Sequence, residues 1–93
     1  MVVGVLTIEL RLHGNRSLKG KRQVLRRMKD RIRNRLNVSI AEVDYQEKWQ
    51  RALVALATVS NETGHVSRTL EGAISMVDSM GLAEIVNTEI EIF

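Results

Sequence analysis

The stretch VSIAEVDYQEKWQRALVALATVS, residues 38–60, decides between the folds open to this chain. It contains two segments rich in β-branched and aliphatic residues, Val38–Tyr45 and Trp49–Ser60, separated by the polar residues QEK. This composition predicts two β-strands. A three-residue connection can close a hairpin, but a crossover between parallel strands takes a dozen or more residues. The two strands are therefore expected to be antiparallel neighbours.

The chain before this hairpin predicts a strand and then a helix. Residues 2–12 alternate, and one face of the strand carries Leu6, Ile8, Leu10 and Leu12. The turn HGNRS follows, in which Ser17 is suited to cap a helix. Over residues 18–36 the apolar side chains recur at helical spacing and form a stripe of Leu18, Leu25, Met28, Ile32 and Leu36.

The chain after the hairpin repeats the same pattern. A second helix is predicted from the stripe Val66, Leu70, Ala73, Ile74 and Val77, with Gly81 as its stop. The segment VNTEIEIF, residues 86–93, alternates as a last strand. The order strand, helix, strand, strand, helix, strand predicts a ferredoxin-like βαββαβ α+β sandwich, a four-stranded antiparallel sheet with two helices on one face. We expect residues 1–93 to form a single domain of this kind.

The composition excludes several classes of function. There is no Cys, so disulfides, thiolate chemistry and Cys-based metal sites are ruled out. The two His residues do not cluster with carboxylates, and we expect no metal site and no cofactor. The longest apolar run, Ala52–Ala57, is too short to span a bilayer, and the N-terminus does not resemble a signal peptide. We therefore expect a cytoplasmic protein that does not bind membranes.

The outer face of the predicted sheet suggests self-association. In the strand ALVALATV apolar residues occur at both odd and even positions, so we expect both faces of this strand to be buried. Val3 and Val5 also point away from the predicted helices. A monomer rarely exposes so much aliphatic surface, which predicts a homo-oligomer formed through the sheet face or edge. The alternative is a central strand whose small Ala residues need no partner.

Positive charge is concentrated in the first helix. Residues 16–35 carry ten bases and one acid, a net charge of +9, whereas the rest of the chain has four bases and ten acids, a net of −6. Like charges three or four residues apart on a helix cost a few tenths of a kcal/mol per pair, and a purely solvated face more often mixes Glu with Lys. This pattern predicts a polyanion-binding helix, with the candidate residues Arg16, Ser17, Lys19, Lys21, Arg22, Arg26, Lys29 and Arg33.

Three functions fit such a helix. The first is a non-enzymatic module that binds RNA or the ribosome through phosphate contacts, since the outer strands carry no aromatic residues on which bases could stack. The second is an interaction module whose basic helix meets an acidic protein surface, including that of another copy. Least favoured is a phosphate-handling enzyme built on the HGNRS loop, because neither His13 nor His65 lies near a nucleophile pattern. Solvated charge and Arg stems that cover apolar edges remain the non-functional alternative.

Three segments carry a family resemblance. SLKGKR (residues 17–22), AEVDYQEKWQRA (residues 41–52) and ATVSNE (residues 57–62) resemble the YlxP-like family of small bacterial proteins, a domain family of unknown function. The resemblance covers nearly the whole chain. It implies a ferredoxin-like fold and, because genes of this family often lie among those for translation factors and ribosome maturation, a connection with RNA or the ribosome. It implies no enzymatic activity.

Overall fold

The structure, a computed structural model, describes residues 1–93 and contains the six elements in the predicted order. The elements are β1 (Val2–Arg11), α1 (Leu18–Arg35), β2 (Ser39–Asp44), β3 (Arg51–Ser60), α2 (Thr63–Met80) and β4 (Glu84–Ile92). The four strands form one antiparallel sheet in the order β2-β3-β1-β4. The buried residues of both helices join one face of this sheet in a single core. The predicted ferredoxin-like α+β sandwich is confirmed.

The central hairpin is antiparallel as predicted, but its turn is longer than QEK. β2 ends at Asp44 and β3 begins at Arg51, so residues 45–50 form the connection. Tyr45 has a φ of 62°, in the left-handed region that non-glycine residues seldom adopt. Its backbone N–H donates a hydrogen bond to Asp44 Oδ1 at 2.7 Å. This reversal ends β2 at Asp44, one residue before the predicted end of the strand at Tyr45.

The predicted core faces are those that the structure buries. On β1 the residues Leu6, Ile8 and Leu10 are fully buried, and they pack with the apolar stripes of both helices. Gly4 extends the same face where β1 passes under α2. A Cβ atom at Gly4 would lie 2.9 Å from Leu70 Cδ1 and closer still to Val66 Cγ1. The absence of a side chain at this position allows α2 to pack directly on the strand.

The predicted start of α1 at Ser17 and the predicted stop of α2 at Gly81 are both present. Ser17 Oγ accepts a hydrogen bond from the Gly20 N–H at 2.9 Å, which caps the first turn of α1. α2 ends at Gly81, which has a φ of 64°. Neither helix is long and apolar enough to cross a membrane.

The outer face of the sheet carries exposed apolar side chains on β2 and β3 and acids on β4. Val43 on β2 and Val59 on β3 are 49% and 54% exposed. On β4, Glu89 lies opposite Thr7 and Glu91 lies opposite Val5 of β1. The apolar part of this face is therefore bordered by carboxylates along one edge of the sheet.

Candidate functional site: a cationic groove between α1 and β2

Four of the predicted cations line one groove beside α1. They recur at spacings of four, three and four residues, which places them on one side of the helix: Arg22, Arg26, Lys29 and Arg33. We call this feature the cationic groove. Its volume is about 400 Å³, and Leu25, Asp30 and Glu42 complete its lining. The Arg33 Nη2 donates a hydrogen bond to the Ile40 carbonyl oxygen at 3.0 Å, which ties the groove to β2.

None of the cations of the groove is neutralised by an acid of the chain. The ion pairs of the structure join Lys21 to Glu42, Arg51 to Glu9, and Arg68 to Glu62, and His13 forms a hydrogen bond with Glu84. Asp30, the one acid of α1, lines the groove without forming an ion pair. The groove therefore keeps an excess of positive charge that is open to solvent.

The structure corrects one predicted site residue, Lys21. Only 1% of Lys21 is exposed, and its Nζ donates hydrogen bonds to the carbonyl oxygens of Tyr45 at 2.6 Å and Lys48 at 2.7 Å. The same Nζ lies 2.7 Å from Glu42 Oε2 in an ion pair. A buried ammonium requires such partners because its desolvation is expensive. Lys21 thus fastens the 45–50 turn to α1 and is not available to a ligand.

The sequence contained a signal for this burial. Lys21 precedes Leu25 by four residues and Met28 by seven, so it lies in the buried stripe of α1 rather than in the cationic one. The predicted apolar stripe begins at Leu18, but this residue is only half-buried. A lysine at an apolar helical position is thus the feature that identifies the buried cation.

The remaining predicted residues lie at the N-terminal end of the groove. Arg16 and Lys19 are exposed, whereas the Ser17 side chain is already engaged as the helix cap. Asn15 holds this loop in place, because its Nδ2 donates hydrogen bonds to the carbonyl oxygens of Ser17 and Trp49. The Gln50 Nε2 returns a hydrogen bond to the Asn15 carbonyl oxygen at 3.1 Å.

Sequence reasoning missed Trp49. This residue lies in the 45–50 turn, it is 54% exposed, and it is the only Trp of the chain. In many RNA-binding domains the aromatic residues that stack on bases lie on the sheet, whereas Trp49 lies in a turn. The sequence pattern predicts Trp49 as the start of a strand, whereas β3 begins at Arg51, and this shift is what leaves the residue in the turn.

Two other clusters are weaker candidates. Arg31 and Arg35 line a second groove of about 370 Å³ between the two helices, together with Asn34, Met76, Ser79 and Met80. His13 Nε2 lies 2.8 Å from Glu84 Oε1, and both side chains are exposed. No group of three or more His, Asp or Glu residues is arranged to hold a metal ion.

Residues 3–90 match the family described as "Protein of unknown function (DUF503)". The chain belongs to this family. The "Uncharacterized protein YlxP" of Bacillus subtilis (strain 168) is 35% identical over 92 residues, which are 99% of this chain and 100% of that protein. These matches confirm the resemblance to YlxP-like proteins.

Similar solved structures share the fold at low sequence identity. A mutant of SnoaB, described as a cofactor-independent oxygenase from Streptomyces nogalater, has a TM-score of 0.54 and 12% identity, with coverage of 99% of this chain and 90% of that chain. The de novo designed protein Foldit4 has a TM-score of 0.51 and 14% identity, with coverage of 99% and 92%. The structural genomics protein YJCS has a TM-score of 0.52 and 10% identity, with coverage of 96% of each chain. At these identities the similarity concerns the fold alone.

Proposed function

We propose that this protein is a non-enzymatic cytoplasmic RNA-binding module that holds the phosphate backbone of RNA, such as ribosomal RNA, in the cationic groove. The observation that carries the proposal is the unpaired charge of Arg22, Arg26 and Lys29, which line one groove with no acid within ion-pair distance. Glu42, the acid at the wall of the groove, is already paired with Lys21. The phosphates of an RNA strand would neutralise these cations, and such contacts do not depend on the base sequence.

The extent of the groove favours a polymer over a single anion. Arg22 and Arg33 are eleven residues apart, which corresponds to roughly 16 Å along a helix. Arg16 and Lys19 continue the exposed positive charge beyond its N-terminal end. Six cations spread over such a length match several phosphates of one strand better than one small ligand. The acidic protein surface remains the competing partner.

The direct test is binding of a labelled ribosomal RNA fragment by fluorescence anisotropy across a salt series. With about six phosphate contacts the logarithm of the binding constant should fall with the logarithm of salt concentration with a slope of about −4. This slope corresponds to a loss of about 300-fold in affinity between about 50 and 200 mM salt. Absence of binding at about 50 mM salt would contradict the proposal. Binding to an acidic protein in its place would favour the interaction module.

We also propose that a second copy of the chain covers the outer face of the sheet. Val43 and Val59 are about half exposed there, and Val3, Val5 and Leu53 are only partly buried. A small domain has little core, and burial of this face would extend it. A two-fold pairing of the two sheets would bring the apolar centres together and leave the carboxylates of β4 at the border.

The test of this second proposal is the mass in solution. Light scattering during size-exclusion chromatography should give about twice the 10.5 kDa of the chain for the wild type. Val59→Glu should give the monomer mass, because a buried unpaired carboxylate is unfavourable at an apolar interface. Val86→Glu on β4 is the control, since Val86 is 45% exposed and lies outside the apolar centre. A monomeric wild type at micromolar concentration would overturn the proposal.

A further inference from the structure

We propose that Trp49 is a stacking platform for an unpaired base of the RNA held in the cationic groove. The inference rests on the proposed RNA binding and specifies its substrate class, which is RNA that is single-stranded where it enters the groove. It also assigns a binding role to the 45–50 turn, whose residues do not line the groove.

Trp49 is fixed at the N-terminal end of the groove from two sides. Its carbonyl oxygen accepts a hydrogen bond from Asn15 Nδ2, and Asn15 immediately precedes the exposed Arg16. The carbonyl oxygen of the neighbouring Lys48 accepts from the buried Lys21 Nζ at 2.7 Å. Lys21 in turn immediately precedes Arg22, the first residue of the groove. These hydrogen bonds fasten the backbone of residues 48 and 49 to the loop before α1 and to the first turn of the helix.

Of the three aromatic residues, only Trp49 combines an exposed side chain with a backbone that is fastened beside the start of α1. The Tyr45 ring is already covered by the Arg51 guanidinium, whose Cζ lies 4.2 Å from the ring centroid. Phe93 is 70% exposed, but it follows β4 at the edge of the sheet opposite β2. Trp49 is 54% exposed in a turn that its backbone hydrogen bonds hold in place.

This combination matches the chemistry of single-stranded nucleic acids. An indole offers a large flat surface on which any base can stack, and nearby cations hold the flanking phosphates. Arg16 and Lys19 would contact the phosphates beside the stacked base, and the following strand would enter the groove at Arg22. In a duplex the bases are stacked on each other and not available to the indole. The arrangement should therefore distinguish single strands from duplexes.

The fluorescence of Trp49 reports on this contact directly, because the chain has no other Trp. The probes are an oligouridine of about eight nucleotides and a blunt-ended G·C-rich RNA duplex of about ten base pairs, which stays paired at low salt. At about 50 mM salt we expect the single strand to quench the emission at saturation and the duplex to bind without quenching. With dye-labelled RNA, Trp49→Ala should weaken single-strand binding by about 5- to 100-fold. Trp49→Phe should retain most of the affinity.

The controls separate this inference from the proposed function. Phe93→Ala removes the other exposed aromatic ring, which follows β4 at the opposite edge of the sheet, and should change neither the single-strand nor the duplex affinity. The urea midpoint of each variant checks folding. The single strand could bind with a steep salt slope but without quenching, and Trp49→Ala could leave its affinity unchanged. That result would overturn the stacking role and leave the groove supported. Equal weakening of single-strand and duplex binding by Trp49→Ala would also overturn it. If neither RNA binds, both proposals fail.

Discussion

A variant with Arg22→Glu, Arg26→Glu and Lys29→Glu is expected to bind RNA at least about 100-fold more weakly than the wild type at about 100 mM salt. These residues supply three of the unpaired cations of the groove, and their reversal places three carboxylates beside Asp30 and Glu42. Fewer phosphates then release counterions on binding. The slope of log affinity against log salt should change from about −4 to about −2. Anisotropy titrations at several salt concentrations measure both quantities.

The matched control carries Arg27→Glu, Arg31→Glu and Arg35→Glu. It has the same change in net charge on the same helix, but none of its residues lines the cationic groove. Two of them line the space between the helices instead. We expect the RNA affinity to fall by less than about 10-fold, because these residues contribute only to the overall electrostatic potential of the protein. Equal losses in the two triple variants would show that net charge, and not the groove, determines binding.

Lys21→Met is expected to lower the free energy of unfolding by about 3–5 kcal/mol. The replacement leaves Glu42 without its cation, and Glu42 is only 16% exposed at its side chain. It also removes the donor from the carbonyl oxygens of Tyr45 and Lys48. Urea unfolding followed by circular dichroism measures the change. Lys19→Met, at an exposed position two residues earlier, should change stability by less than about 0.5 kcal/mol.

A second substitution tests the physical cause of this loss. In Lys21→Met/Glu42→Leu the unpaired carboxylate is gone, and the pair is replaced by apolar side chains, which often restores stability. We expect recovery of about half of the loss, because the two carbonyl oxygens still lack their donor. A loss of less than about 1 kcal/mol for Lys21→Met alone would contradict the structural role of this lysine.

Most of the fold follows from local patterns in the sequence. The alternation of Leu6, Ile8 and Leu10 determines which face of β1 is buried, and the short polar triplet after Tyr45 determines the hairpin. The length of the turn could not be predicted in the same way. It depends on the left-handed backbone of Tyr45, which no glycine or asparagine marks in the sequence. That conformation is held by tertiary contacts to Lys21.

The site was predictable where it depends on helical period and not where it depends on contacts between distant segments. The spacing of Arg22, Arg26 and Lys29 alone places them on one side of α1. By contrast, Lys21 belongs to the predicted binding residues because of its charge, although its position on the helix lies in the buried stripe. The turn that carries Trp49 lies beside the start of α1 because Asn15 and Lys21 fasten it there. Those contacts join residues 24 to 34 positions apart in the chain.

The strand order β2-β3-β1-β4 also separates the two signs of charge in space. α1 contacts β2 at one edge of the sheet, while Glu84, Glu89 and Glu91 lie on β4 at the other edge. Although β2 itself carries Glu42 and Asp44, the excess of positive charge on α1 and the carboxylates of β4 lie towards opposite edges, so the molecule has an electric dipole across the sheet. Near a polyanion this dipole experiences a torque that turns α1 towards the strand and β4 away from it, over a distance of about 10 Å at 0.1 M salt. In the proposed complex with RNA, the approaching orientation would therefore be selected during diffusion, before side chains contact the RNA, and high salt would remove this preference.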